Sequence, residues 1–425
     1  MAQSVNKKVC IVGAGAAGLC AARHLAGDTN IEMTVFEQTG DVGGTWVYSD
    51  RIGLNENGLP IHSSMYKNLR TNLPAKVMNF PDYMRMNAQE PCCISHNEIL
   101  SYLRNYTEHF QLRRYIQFYI KVENIRPIKL DNSNEEKWLV RVKQLNSQRT
   151  EEYRFDAVMI CNGHYFEPYI PVIKGMDTFP GIVMHSHSYR KPEEFKDKIV
   201  LILGAASSGI DIGIDLTDHS SIVYLSHNQE RFTSVFPSNM IQVVGVDRLE
   251  GTKCFLKDGT SVTIDVFLYC TGYQYSFPFL DESCDVKVDD NYVTPLYKHL
   301  INIEHQTMAI IGIPSQIIPF PMFHMQVQYF LSLIKNRLVL PSKSQMLEDS
   351  KLKASKKRHA HKMMTEQWEY NDSLADAGGF DRLPPFYKVG YLAWHSQIKA
   401  NLLRYKYAKF VISEDGKNVE LVLSN

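Results

Sequence analysis

Apolar positions in this chain of 425 residues gather into short uninterrupted runs, each followed by a turn and then by helical spacing. The run Val9-Cys10-Ile11-Val12 has no polar interruption, which suits a parallel strand buried on both faces. Small residues at helical period follow over 14–26, and Thr34-Val35-Phe36-Glu37 reads as the next strand. The same grammar returns at 199–203, with a helix predicted over 210–216 and a strand over 222–225. Between and beyond these units the pattern predicts a helix over 97–110, a strand pair around 138–145 and a strong strand over 157–161. It also predicts one strand over 262–269, a strand over 309–312 returning to the first sheet, and a helix over 322–334. Residues 343–370 are charged and read as helical, with the basic stretch 351–362 as a solvated helix face. The proline-rich stretch 168–180 reads as a crossing between domains. The reading is therefore α/β: two Rossmann-like dinucleotide-binding domains, the second inserted into the first, over 1–165, 170–295 and 300–425.

The two turns carry the chemistry. In Gly13-Ala14-Gly15-Ala16-Ala17-Gly18, Gly13 permits the tight turn and Gly15 lets a pyrophosphate approach the backbone. Gly18 lets helix and strand pack closely, and Ala17 lies in the first helical turn, whose free N–H groups favour phosphate. Glu37, at the end of the second strand, is placed to accept hydrogen bonds from a ribose. In Gly43-Gly44-Thr45-Trp46, Gly44 allows close backbone approach, with Thr45 beside it, and Trp46 can cover a ring. The second turn, Gly204-Ala205-Ala206-Ser207-Ser208-Gly209, has Ala206 at the middle glycine position; Ser207 and Ser208 offer hydroxyls and N–H groups. After the following strand come Ser226 and Arg231 rather than an acid, which suits a 2′-phosphate and points to NADPH. A dinucleotide at each turn is the arrangement that passes a hydride from a nicotinamide to a flavin, so FAD and NADPH are the expected cofactors.

Composition narrows the partners. Lysine plus arginine equals aspartate plus glutamate, 46 each, which points away from nucleic acid or a charged membrane surface. Of the eight cysteines the one close pair is Cys92-Cys93, without the gap of a zinc knuckle, so no metal site is expected from spacing. No cysteine pair accompanies Gly43-Gly44, which argues against dithiol chemistry. The polar residues 1–8 have no apolar signal core, no run reaches a membrane-spanning length, and 404–425 is mixed and strand-like. The expectation is a soluble, cytoplasmic protein without a membrane anchor, able to form a homo-oligomer.

The stretch Phe179 to Tyr189, with Gly181 and His185 at their spacing, fits F-x-G-x-x-x-H-x-x-x-Y and resembles the fingerprint of the flavin-containing monooxygenases. Baeyer–Villiger monooxygenases have a similar fingerprint with tryptophan where this chain has Tyr189. Tyr66 to Pro74 resembles the family motif ending T-N-x-P. Cys161 to Tyr165 and Cys270 to Tyr273 resemble its two crossovers, and Phe320-Pro321 with Gln326 its flavin-side segment. His324 stands where many members carry glutamate. The resemblance implies that Asn72 lies nearest the reactive centre. It implies that Thr71, Asn72, Val122 and Gln326 join the FAD site, and that Tyr189 and Thr271 join the NADPH site. It also implies that NADPH reduces FAD, that O2 then adds as a C4a-hydroperoxide, and that a tertiary amine or soft sulfide takes up one oxygen. The chain is shorter than the vertebrate members and most resembles the soluble insect branch, which includes N-oxygenases of pyrrolizidine alkaloids such as senecionine. A Baeyer–Villiger enzyme, an NADPH oxidase releasing peroxide and a non-enzymatic nucleotide-binding protein are the competing readings.

Overall fold

The computed structural model describes residues 7–86, 91–129, 135–398, 401–413 and 415–422, so parts of the two terminal stretches read above lie outside the described residues. Two largely parallel sheets carry the architecture. The first has the order Leu296–Tyr297, Ile301–Asn302, Met308–Ile310, Ala157–Ile160, Lys7–Val12, Ile31–Phe36, Ile116–Gln117. From Met308–Ile310 onward its strands are parallel. The second has the order Met240–Val243, Ile222–Ser226, Ile199–Leu203, Val266–Tyr269, Ile182–His185, parallel throughout. Central strands such as Ala157–Ile160 and Val266–Tyr269 are buried at every residue, which is why they read as apolar runs without alternation.

Ala157–Ile160 and Met308–Ile310 are neighbours in the first sheet, yet the whole second sheet lies between them in sequence. The second unit is thus an insertion into the first, an α/β architecture of two Rossmann-like units. A three-stranded antiparallel sheet, Ile120–Lys129, Glu136–Gln144 and Thr150–Phe155, covers the first unit, one strand more than the predicted pair. The predicted helix near residue 97 forms as His96–His109, begun by a capping box between Ser95 and Glu98.

Three expectations change. The apolar stretch 262–269 is two strands, because Asp265 interrupts it. Ser261–Thr263 pairs in a small antiparallel sheet, while the Asp265 carboxylate accepts the Ile199 N–H at 2.8 Å and turns Val266–Tyr269 into the main sheet. The late helix starts at Pro319 rather than 322, since proline is tolerated in a first turn where N–H groups have no intrahelical acceptor. Residues 343–370 do not form one helix. Lys343–Asp349 is followed by irregular chain and short 3-10 turns, with Gln367–Gly378 resuming. The basic stretch within it pairs with acids of the small hairpin Lys287–Asp289 and Tyr292–Thr294, Lys357 with Asp289 and Arg358 with Asp290 in its turn, instead of forming a solvated helical face.

Candidate active site

Both glycine turns are built the same way, down to individual contacts. Gly13 has φ +100° and a Cβ there would lie 2.7 Å from the Cys161 carbonyl oxygen; Gly204 has φ +113° and would meet the Cys270 carbonyl at 2.4 Å. Each turn therefore passes directly beneath the carboxyl end of the neighbouring strand, and each following helix begins without a side-chain cap. The middle positions explain the alanine in the second turn. Gly15 and Ala206 have nearly the same extended backbone, φ −74° and −85°, so this position does not need glycine for its dihedrals.

The two uncapped helix starts open into one cavity of about 1270 Å³. Gly13, Gly15 and Ala17 line it from the first turn, and Ala206, Ser207 and Ser208 from the second. Glu37, Gly44, Thr45, Trp46, Thr71, Asn72, Val122 and Thr271 also face it. A carbon on Gly15 would touch the Gly44 Cα at 3.5 Å, so these two glycines form a cradle of bare backbone beside the helix start. That cradle with its free N–H groups fits a pyrophosphate, and Glu37 fits a ribose at the strand end. The Glu37 carboxylate accepts the Ala14 N–H at 2.8 Å and both donors of Thr39 at 2.8 Å, which hold it rigid at the cavity wall.

Asn72 has an exposed side chain, while its backbone carbonyl accepts the Trp394 Nε1 proton at 2.8 Å. Thr71 is buried, its hydroxyl donating to the Leu73 carbonyl at 2.8 Å. The carboxamide is thus presented to the cavity from a fixed backbone.

Five predicted residues do not line the cavity. Gly18 lies behind the turn, where a Cβ would fall 1.8 Å from the Gly13 carbonyl oxygen. Gln326 is fully buried; it accepts the Gly312 N–H at 2.8 Å and donates to the Tyr370 hydroxyl at 2.8 Å, so it acts through Gly312, which does face the cavity. Ser226 is fully buried and donates to the Val244 carbonyl at 2.9 Å. Arg231 is exposed at the rim of the second sheet, with Nη2 donating to the Gln242 carbonyl at 2.9 Å. Tyr189 is fully buried and its hydroxyl donates to Asp215 at 2.6 Å, on the helix that follows the second turn.

Tyr189 belongs to a wider brace. The His187 backbone N–H donates to His185 Nδ1 at 3.1 Å, which leaves the proton on Nε2 to meet the Gly272 carbonyl at 3.0 Å. His187 Nε2 reaches the Ile61 carbonyl at 3.1 Å. Arg190, also buried, donates to the carbonyls of Ser63, Met65, His187 and Tyr189. Residues 185–190 thereby fasten the inserted unit to the loop 61–65 of the first. Burial lowers the His185 pKa from 6.5 to about 4, so it is a neutral tie rather than an acid or base.

The same burial lowers His164 and His299 to about 4 and His361 to about 3. An unfolded chain takes up protons at these histidines near pH 6.5, while the folded chain resists until near pH 4. Their contribution to stability is therefore complete above pH 6.5 and is lost as the pH falls toward 4. The melting temperature is expected to decline across that window; a flat profile from pH 6.5 to 5 would contradict the neutral, buried assignment.

Sequence reasoning missed His62, which faces the cavity and stacks on Phe166 at 5.1 Å, and Arg358, which reaches the rim from the basic stretch. It also missed Arg190. None has a local signal: each becomes part of the site only through chain segments far apart in sequence.

A family model described as flavin-binding monooxygenase-like matches residues 6–241 and 234–378. The flavin-containing monooxygenase FMO GS-OX-like 2 of Arabidopsis thaliana is 34% identical over 432 residues, spanning 95% of this chain and 91% of that protein. The solved S-allyl-L-cysteine S-oxygenase of Allium sativum superposes with a TM-score of 0.86 at 33% identity over 95% of each chain. Tmm from Pelagibacter sp. strain HTCC7211 gives 0.85 at 28% identity, over 98% of this chain and 96% of that one. Cyclohexanone monooxygenase, at 13% identity and a TM-score of 0.62, shares the fold. These named relatives are plant and bacterial proteins, so the wider family, and not its insect branch, is what the comparisons establish. Among the described residues no helix is long and apolar enough to cross a membrane. With two matched nucleotide turns on one cavity and these relatives along nearly its whole length, the chain belongs to the flavin-binding monooxygenase-like family and is an NADPH-dependent flavin monooxygenase working with FAD.

Proposed function

We propose that this chain transfers one oxygen atom of O2 to a soft heteroatom, a tertiary amine nitrogen or a sulfide sulfur. The second oxygen atom leaves as water with the two electrons taken from NADPH. The observation that supports this reading is the single cavity onto which both glycine turns and the exposed Asn72 carboxamide open. The flavin site comprises Gly13, Gly15, Ala17, Gly44, Thr45, Trp46, Thr71 and Val122, with Glu37 at the ribose and with Gly18 and Gln326 supporting from behind. The NADPH site comprises Ala206, Ser207, Ser208 and Thr271, with Arg231 at the 2′-phosphate and Tyr189 and Ser226 holding the second helix and strand. Domain limits of 1–165, 170–295 and 300–425 accompany this division. Bound FAD supplies the oxygen-activating chemistry and NADPH the reducing equivalents. Asn72 donates and accepts hydrogen bonds there without competing as nucleophile or acid. Phe320, Phe323, Ile311 and Ile317 give the cavity an apolar wall that keeps water from the reacting atoms.

Relatives named for S-oxygenation favour a sulfide, and the resemblance to the insect branch favours a pyrrolizidine alkaloid such as senecionine. The purified enzyme is therefore to be offered senecionine, an S-alkyl cysteine and a cyclic ketone, with NADPH, organic product and hydrogen peroxide all quantified. N-oxide or sulfoxide should form in step with NADPH consumption. Peroxide matching NADPH whatever is added, or an ester from the ketone as main product, would overturn the proposal.

A further inference from the structure

We propose that Cys20, His24 and His324 form a three-ligand binding site for a divalent cation that prefers thiolate and imidazole, zinc above all, with the fourth position left to solvent. Cys20 and His24 stand four residues apart on the helix Ala16–Leu25, so both project from one face. His324 comes from the helix Pro319–Ile334, which packs against it. The three ligand atoms lie within 4.8 Å of one another. His24 Nε2 is 3.0 Å from His324 Nδ1, and an Asp82 oxygen is 3.9 Å from that same Nδ1. Zinc held tetrahedrally at about 2.0–2.3 Å separates its ligand atoms by roughly 3.3–3.8 Å, so modest side-chain shifts bring the three to ligating distance.

A hydrogen bond between the two imidazoles explains their approach but leaves two features unexplained. The first is Asp82, whose carboxylate oxygens are both buried without a hydrogen-bond donor. Arg23 Nε lies 3.1 Å away but out of line for a hydrogen bond. The carboxylate charge is met by the Arg23 guanidinium in an ion pair without an aligned hydrogen bond, so its lone pairs stay open beside the site. The second is the Cys20 thiol, fully buried, beside two imidazoles. The Cys20 thiolate offsets one charge of zinc, while the Asp82 carboxylate is shared with Arg23. The His324 and Asp82 side chains, 12% and 20% exposed, give the cation a way in. Filled, the site pins the helix of the first glycine turn to the helix that brings Phe320 and Phe323 to the cavity.

The test uses the FAD-loaded enzyme, stripped with a chelator, dialysed into metal-free buffer and titrated with Co2+. One Co2+ per chain should bind with intense tetrahedral d–d bands to the red of the flavin absorption, and Zn2+ should displace it. Zn2+ should also raise the melting temperature of the wild type. His324→Gln should keep its FAD yet bind Co2+ roughly tenfold more weakly or worse, and lose the zinc-dependent rise in melting temperature. A wild type that develops no tetrahedral cobalt spectrum overturns the proposal without recourse to any variant. A His324→Gln enzyme that binds cobalt as tightly as the wild type overturns it equally.

Discussion

Replacing Asn72 by alanine is expected to leave FAD bound and to cut oxygenated product by about a hundredfold, the scale on which losing one preorganised hydrogen-bonding group lowers turnover. The backbone at this position is held independently of the side chain. Trp394 donates to the Asn72 carbonyl, and the neighbouring Thr71 N–H donates to the Ile94 carbonyl at 2.9 Å. Removing the carboxamide therefore deletes a group from the cavity wall without releasing the loop that carries it. Flavin content, NADPH consumption and organic product should be measured side by side. Flavin should stay near wild type, and NADPH consumption should pass increasingly to peroxide. Unchanged product formation would remove Asn72 from the reacting centre.

Gly18→Ala is expected to have the largest effect on the fold. The new Cβ would fall 1.8 Å from the Gly13 carbonyl oxygen and 2.9 Å from its carbon, both backbone atoms of the very turn that defines the site. Neither can move aside as a side-chain tip could, so the helix Ala16–Leu25 must lift from its strand. Overpacking of this severity costs about 3 kcal/mol or more. A lower melting temperature and a colourless or flavin-poor protein should result. Gly15→Ala is the control. Its φ of −74° suits alanine, and its Cβ would meet nothing nearer than the Gly44 Cα at 3.5 Å, so that variant should melt close to the wild type. Equal melting temperatures for the two variants would refute the steric account of the turn.

Much of this was legible in the sequence because parallel strands announce themselves. The runs at 9–12 and 199–203 are apolar on both faces, and each is followed by glycines in a fixed order that has a steric cause at each position. The insertion of one unit into the other followed from the return strand at Met308–Ile310. What escaped depends on tertiary contact. The split of 262–269 turns on one carboxylate, Asp265, capturing a distant N–H. The charged stretch near 351–362 is irregular chain whose cations face the acids Asp289 and Asp290, contacts from another segment that local spacing does not reveal. Motif membership identified Tyr189 and Gln326, and position after the second unit's strand identified Ser226, but neither signal could show that they are buried supports. The grouping of Cys20 and His24 with His324 joins positions some 300 residues apart, which no local spacing rule can reach.

The two uncapped helix starts have a consequence for how the halves of this enzyme hold together. Each carries the positive end of a helix dipole, and both open on the same cavity, so like poles face one shared space. A pyrophosphate seated at either turn screens that repulsion, and a second one completes the cancellation. The nucleotides are then electrostatic mortar as well as reagents. Mobile salt ions compete for the same role, so ionic strength bears on the cohesion of the two units and not only on how tightly either nucleotide is held.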